Sequence, residues 1–87
     1  MSYEVRIAKQ AEAYFLRLDP RTRQRVLDRL RQIAQDPYGS HSKVLVNAGG
    51  RRASRVGDYR IVFAIDAPRE IVRVSVIAPR GRAYRDL

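Results

Sequence analysis

Arg51-Arg52-Ala53-Ser54-Arg55-Val56-Gly57-Asp58-Tyr59-Arg60-Ile61-Val62-Phe63 decides how this chain folds. Two runs rich in β-branched and aromatic residues flank Gly57-Asp58, and glycine at the first central position of a two-residue loop signals a tight hairpin. Such a loop sets the register. Val56 lies opposite Tyr59, Arg55 opposite Arg60, Ser54 opposite Ile61, Ala53 opposite Val62, Arg52 opposite Phe63 and Arg51 opposite Ala64. Directly opposed residues share a face. One face therefore carries Ser54, Val56, Tyr59, Ile61 and Phe63, and is apolar enough to receive helices. The other carries Arg51, Arg55 and Arg60 among Ala53, Val62 and Ala64. Like charges opposed across a ladder are destabilising, so Arg55 facing Arg60 points to an anion between them rather than to two side chains splayed into solvent. A one-residue slip would scatter the arginines over both faces.

Outward from the hairpin, Asp66 to Arg69 makes a looser turn and Ile71 to Ile77 reads as a third strand, followed by a short basic tail from Ala78 to Leu87. Towards the N-terminus, Asn47-Ala48-Gly49-Gly50 and Tyr38-Gly39-Ser40-His41-Ser42 are turn-rich. Val44-Leu45-Val46 between them is either a short strand or a buried loop anchor. Asp36-Pro37 ends a helix, because the residue before proline is pushed out of the helical region. Asp19-Pro20 begins it, as an N-cap followed by proline at the first helical position. Its apolar face is Val26, Leu27, Leu30, Ile33 and Ala34. Before it, Ala8, Ala11, Phe15 and Leu18 form one helical stripe with Tyr14 beside it. Tyr3, Val5 and Ile7 alternate with Glu4 and Arg6 as a short first strand. The order is strand, helical hairpin, then a three-stranded antiparallel meander. The expected class is α+β, with the helices on one face of a single antiparallel sheet.

Eighty-seven residues make one domain, 1–87, with one modest core. There is no cysteine, which removes disulfides, thiolate metal sites and thiol nucleophiles together. No apolar run approaches the ~18 residues of a membrane span, so the expectation is a cytoplasmic protein with no membrane partner. The charge is more telling: 18 Lys+Arg stand against 9 Asp+Glu, a net +9. Only Lys9 and Lys43 are lysines, and every other basic residue is arginine. The rigid guanidinium fork suits phosphates and stacks on bases, so a nucleic-acid partner is expected. His41, the single histidine, lies in a turn-rich loop far in sequence from the arginine strands and reads as structural or exposed. One histidine and scattered carboxylates give no metal site and no small-molecule cofactor is implied. Asp58 serves the turn. Tyr14, Phe15 and Tyr59 read as core.

Arg55 to Phe63 resembles the signature strand pair of the RelE/ParE toxin superfamily. Ala78-Pro79-Arg80-Gly81-Arg82-Ala83-Tyr84-Arg85 resembles the C-terminal segment of its RelE branch, where an arginine is followed four residues later by a tyrosine. The likeness covers essentially the whole chain. It implies a RelE-like fold and the toxin half of a type II toxin–antitoxin system, a ribosome-dependent endoribonuclease that cuts mRNA and is silenced by a cognate antitoxin. Carried over, it makes Arg60 the arginine at the scissile phosphate, Arg80 the second catalytic arginine and Tyr84 the catalytic tyrosine. Arg51 and Arg55 fall in the basic strand that adds phosphate contacts, and Arg52, Arg82 and Arg85 complete the RNA-contacting set. Two positions depart from the pattern: Ala53 stands where studied members carry lysine or arginine, and Pro79 where many have histidine or lysine.

Metal-free RNA cleavage uses the ribose 2′-OH as nucleophile. It needs a proton acceptor, stabilisation of an anionic phosphorane and a proton for the leaving 5′ oxygen. Fixed cationic donors suit the second task, which falls to Arg60 and Arg80. Arginine is a poor base. Tyr84 is left to align the hydroxyl or act as base with its pKa drawn down by arginines, and Arg80 is the candidate for protonating the leaving oxygen. Two rival readings stand beside this one. The ParE branch shares the Gly-Asp-Tyr-Arg strand and acts without catalysis as a DNA gyrase inhibitor. A plain RNA-binding module would read single strands on aromatic platforms, whereas most aromatics here look like core.

Overall fold

The structure, a computed structural model, describes residues 2–79 of the chain. Its elements are β1 (Glu4–Ile7), α1 (Lys9–Arg17), α2 (Pro20–Gln35), β2 (Lys43–Val44), β3 (Arg52–Val56), β4 (Tyr59–Asp66) and β5 (Ile71–Pro79). The sheet runs β1-β5-β4-β3-β2. Helix α2 starts where the Asp19-Pro20 pair puts it, with the Asp19 carboxylate accepting from the Thr22 N–H at 3.1 Å. It stops at Asp36, before the proline.

The hairpin register is the one the two-residue loop imposes, from Val56 opposite Tyr59 to Arg52 opposite Phe63. Gly57 has φ +57° and Asp58 is not in the positive-φ region, the pattern of a II′ turn. The meander β3–β4–β5 is antiparallel throughout, with an irregularity at Val62/Phe63 where Ser75 is the extra residue on β5. The expectation of a wholly antiparallel sheet needs one correction. β1 pairs with β5 in parallel, Val5 beside Val72 and Ile7 beside Val74, so the sheet is mixed. Alternation of side chains is the same in either direction, and the partner lies at the other end of the chain.

Both helices cover one sheet face. Ala11 and Leu18 of the first helical segment and Val26, Leu30 and Ile33 of α2 pack on Val56, Ile61, Phe63, Val72, Val74 and Ile77. Phe63, Ile61, Val26 and Val72 have no solvent exposure. Each such side chain contributes about 1.5–3 kcal/mol by burial, so this layer dominates stability. Tyr3, Val5 and Ile7 pack at its margin. On the opposite face a smaller cluster joins Ala53, Val62 and Ala78 with Leu45 and Val76. The 44–46 segment thus plays both roles open to it: Val44 ends β2, and Leu45 anchors the loop, while Val46 is 86% exposed. Among the described residues, no helix is long and apolar enough to cross a membrane.

Candidate anion-binding site

Lys43, the first residue of β2, lies opposite Ala53, so β3 from Ser54 to Val56 is left without a strand neighbour on that side. The loop following α2 passes here, and a pocket of about 370 Å³ opens between them. Arg29 of α2, Ser40, His41 and Ser42 of the loop, Lys43, Leu45, Ala53, Arg55 and Arg60 line it. Four of these side chains are cationic and none is a carboxylate. Arg55 and Arg60 are direct partners across β3–β4. Arg60 is half-buried, and its Nη1 is shielded from solvent. Arg55 is exposed, and its Nε donates to the Gly57 carbonyl at 3.3 Å.

The walls are held by hydrogen bonds rather than by apolar packing alone. Arg29 donates from Nη1 to the Ser54 hydroxyl at 2.9 Å and to the Arg55 carbonyl at 2.7 Å, while its Nε reaches Gln32. Ser54, with no exposure, in turn donates to the His41 carbonyl at 2.5 Å. A buried hydroxyl with both functions satisfied costs little. Asp66 pairs with Arg69 and Arg73, Asp28 with Arg31, and Glu4 with Arg6, and none of these residues lines the pocket. Among the described residues no group of three histidines and carboxylates is placed to hold a metal ion. Fixed cations without a carboxylate in a concave wall are suited to binding an anion such as phosphate.

The sequence candidates separate in space. Arg55 and Arg60 line the pocket together; Arg51 precedes β3 and is not among the lining residues. Arg52 lies on the helix-side face. Its Nε donates to the Ser42 hydroxyl at 2.8 Å and its Nη2 to the Ser42 carbonyl at 3.2 Å, with the guanidinium 5.8 Å from the Tyr38 ring centroid. Arg80, Arg82, Tyr84 and Arg85 lie outside the described residues. Sequence reasoning missed Arg29, Lys43 and the loop residues 40–42. His41, read as structural or exposed, is half-buried in the pocket wall. A signal for Arg29 was present: it follows Val26 by three residues and precedes Ile33 by four, placing it on the buried stripe of α2.

The family described as ParE toxin of type II toxin–antitoxin systems, parDE, matches residues 5–84. The chain is a type II toxin of the ParE/RelE family. Solved structures agree with this toxin's fold. The archaeal RelE–RelB complex from Pyrococcus horikoshii OT3 is 25% identical with a TM-score of 0.81, covering 95% of this chain and 100% of that one. The RelBE2 complex from Mycobacterium tuberculosis is 24% identical at TM-score 0.81, covering 92% and 100%. The intact E. coli RelBE complex is 17% identical at TM-score 0.82, covering 93% and 100%. No curated protein matches the toxin sequence. The α+β expectation and the RelE-like fold hold: two helices rest on a five-stranded mixed sheet.

Proposed function

We propose that this toxin is a ribosome-dependent, metal-independent endoribonuclease that cuts mRNA, blocks translation and is neutralised by a cognate antitoxin. The observation that carries the reading is the pocket in which Arg29, Lys43, Arg55 and Arg60 converge with no carboxylate among its lining residues. A scissile phosphodiester gains negative charge as its 2′ oxygen attacks, and preorganised cationic donors favour that state over the ground state. Arg60, half-buried and held in the middle of the sheet, is assigned to the phosphorane. Arg29, Lys43 and Arg55 take neighbouring phosphate oxygens. Arg80 and Tyr84, carried over by resemblance, are assigned respectively to the second phosphorane contact and to alignment of the hydroxyl or proton acceptance. Arg51, Arg82 and Arg85 are assigned to the flanking RNA backbone. Arg52, tied to Ser42, is assigned to holding the loop wall, a change from the sequence expectation.

RelE of the Pyrococcus, Mycobacterium and E. coli structures is seen with its RelB antitoxin. An acidic antitoxin segment laid over the cationic pocket would block it by charge and by volume. Cytoplasmic action on ribosomes follows from the same reading.

Inducible expression of the toxin and of Arg60→Ala, followed by mapping of mRNA 5′ ends in translating and non-translating extracts, tests it. Cuts within codons that require translation and vanish in Arg60→Ala support the proposal. The match to the ParE description favours a second reading, inhibition of DNA gyrase. Intact mRNA together with loss of gyrase supercoiling activity would select it.

A further inference from the structure

RNA cleavage through the 2′-OH requires that a proton leave that hydroxyl. Among the described lining residues the choice of acceptor is narrow. Arg29, Arg55 and Arg60 hold their protons at any physiological pH, Lys43 is an ammonium donor, and the Ser40 and Ser42 hydroxyls are far too weak as bases. His41 alone carries a side chain whose chemistry suits proton exchange near neutrality.

The backbone around His41 is tied down by hydrogen bonds. Ser54, buried on the unpaired stretch of β3, donates to the His41 carbonyl. The next residue, Ser42, is itself buried and is gripped by Arg52 through both its hydroxyl and its carbonyl. The Ser42 hydroxyl also donates to the Pro37 carbonyl at 3.4 Å, and its N–H to the Gly39 carbonyl at 3.4 Å. The one bond to residue 41 uses its backbone carbonyl, so it requires no imidazole. The side chain is left over from the structural task, half-buried in a wall shared with four cations.

We infer that His41 is a catalytic residue of this site, accepting the proton of the ribose 2′-OH as that oxygen attacks phosphorus, which leaves Tyr84 to align the hydroxyl. The inference rests on the endoribonuclease reading of the pocket. In the step, the 2′ O–H bond gives its proton to the imidazole, a bond forms between the 2′ oxygen and phosphorus, and the bond from phosphorus to the 5′ oxygen breaks. The products are a 2′,3′-cyclic phosphate and a 5′ hydroxyl, whose proton comes from water or from Arg80, the candidate for that role by resemblance. The charged groups that line the pocket together with His41 are Arg29 on α2, Lys43 on β2, Arg55 on β3 and Arg60 on β4. All are cations, and none offers a competing proton acceptor.

The test is single-turnover cleavage of mRNA on translating ribosomes from pH 5.5 to about 8.5, comparing the wild type with His41→Gln and His41→Ala. Both variants keep the backbone carbonyl that Ser54 binds. The expected result is a wild-type rate that rises with pH along an acid limb. Both variants should lose that limb and fall on the order of 100-fold at neutral pH, with added imidazole restoring part of the rate to His41→Ala. Variants that retain the acid limb, or match the wild-type rate, overturn the assignment of His41 alone. A wild type that leaves mRNA intact on ribosomes overturns this inference and the endoribonuclease reading together, and the two failures are thus told apart.

Discussion

Arg29 of α2 donates from a single nitrogen to the Ser54 hydroxyl and to the backbone carbonyl of Arg55, 26 residues away on β3. This is the polar joint between the helical layer and the unpaired stretch of β3 that walls the pocket. Charge-assisted hydrogen bonds of this kind contribute roughly 1.5–3 kcal/mol each way they are lost. Arg29→Ala is expected to destabilise the fold by about 2 kcal/mol, read as a lower denaturant midpoint with unchanged slope. Arg29→Lys keeps the charge but not the fork, and should recover less than half of the loss. Full recovery by lysine would show that charge near the pocket, not the joint, is what α2 supplies.

Gly57 is the one glycine whose conformation the hairpin demands. Its φ is +57°, and a Cβ there would meet the Arg25 guanidinium at 3.2 Å. That guanidinium is the far end of a flexible side chain and can move aside, so the backbone decides the outcome. Gly57→Ala should cost about 1–2 kcal/mol, and Gly57→Asn clearly less, because asparagine tolerates the left-handed region. Thermal unfolding of the two variants checks the order. Equal losses would mean that displacement of Arg25 matters more than φ.

The parts of this fold legible in the sequence are those set by neighbouring residues. Asp19-Pro20 and Asp36-Pro37 bracket α2 because capping and proline sterics act within a turn. Gly57-Asp58 sets the β3–β4 register because a two-residue loop leaves no slack. The same register also put Arg52 opposite Phe63, on the helix side, although the sequence reading grouped it with the RNA-contacting arginines. The parallel pairing of Glu4 with Ile71 was not legible, since period-two alternation carries no strand direction. Nor was the full pocket, which gathers residues from α2, a turn-rich loop and three strands. His41 looked remote from Arg60 only because sequence distance was the measure.

Arg52 distinguishes a wall from a contact. Its guanidinium is occupied by the hydroxyl and carbonyl of Ser42 and lies beside the Tyr38 ring. Arg52→Ala should therefore loosen the 37–42 loop and lower stability by about 1–3 kcal/mol. Its effect on RNA affinity should show little change in salt dependence, whereas Arg55→Ala should flatten the slope of affinity against salt. Measuring oligonucleotide binding over a salt series separates the two. An equal reduction in slope for both variants would return Arg52 to the phosphate-contacting set.

Acid should weaken the fold through two carboxylates held below their ordinary range. Asp19 is lowered chiefly by the Thr22 side chain, then by the Thr22 N–H, and Asp66 chiefly by its hydrogen bond to Arg69, with Arg73 adding to it. A group whose pKa is depressed in the folded state stabilises that state above its unfolded value, about 3.9 for aspartate. That contribution is lost as pH falls through the lower, folded value. The melting temperature should thus vary little on account of these groups between neutral pH and about 5, and decline below about 4. Asn is as good an N-cap as Asp but does not titrate in this range. Asp19→Asn should therefore keep the start of α2 while making the acid decline shallower, and Asp19→Ala should lower the melting temperature at neutral pH as well. The Arg69 and Arg73 partners of Asp66 are exposed, so added salt should shrink the ion-pair contribution at Asp66 more than the capping bond at Asp19. An acid decline of the same steepness in Asp19→Asn and the wild type would assign acid sensitivity to Asp66 or to other carboxylates instead.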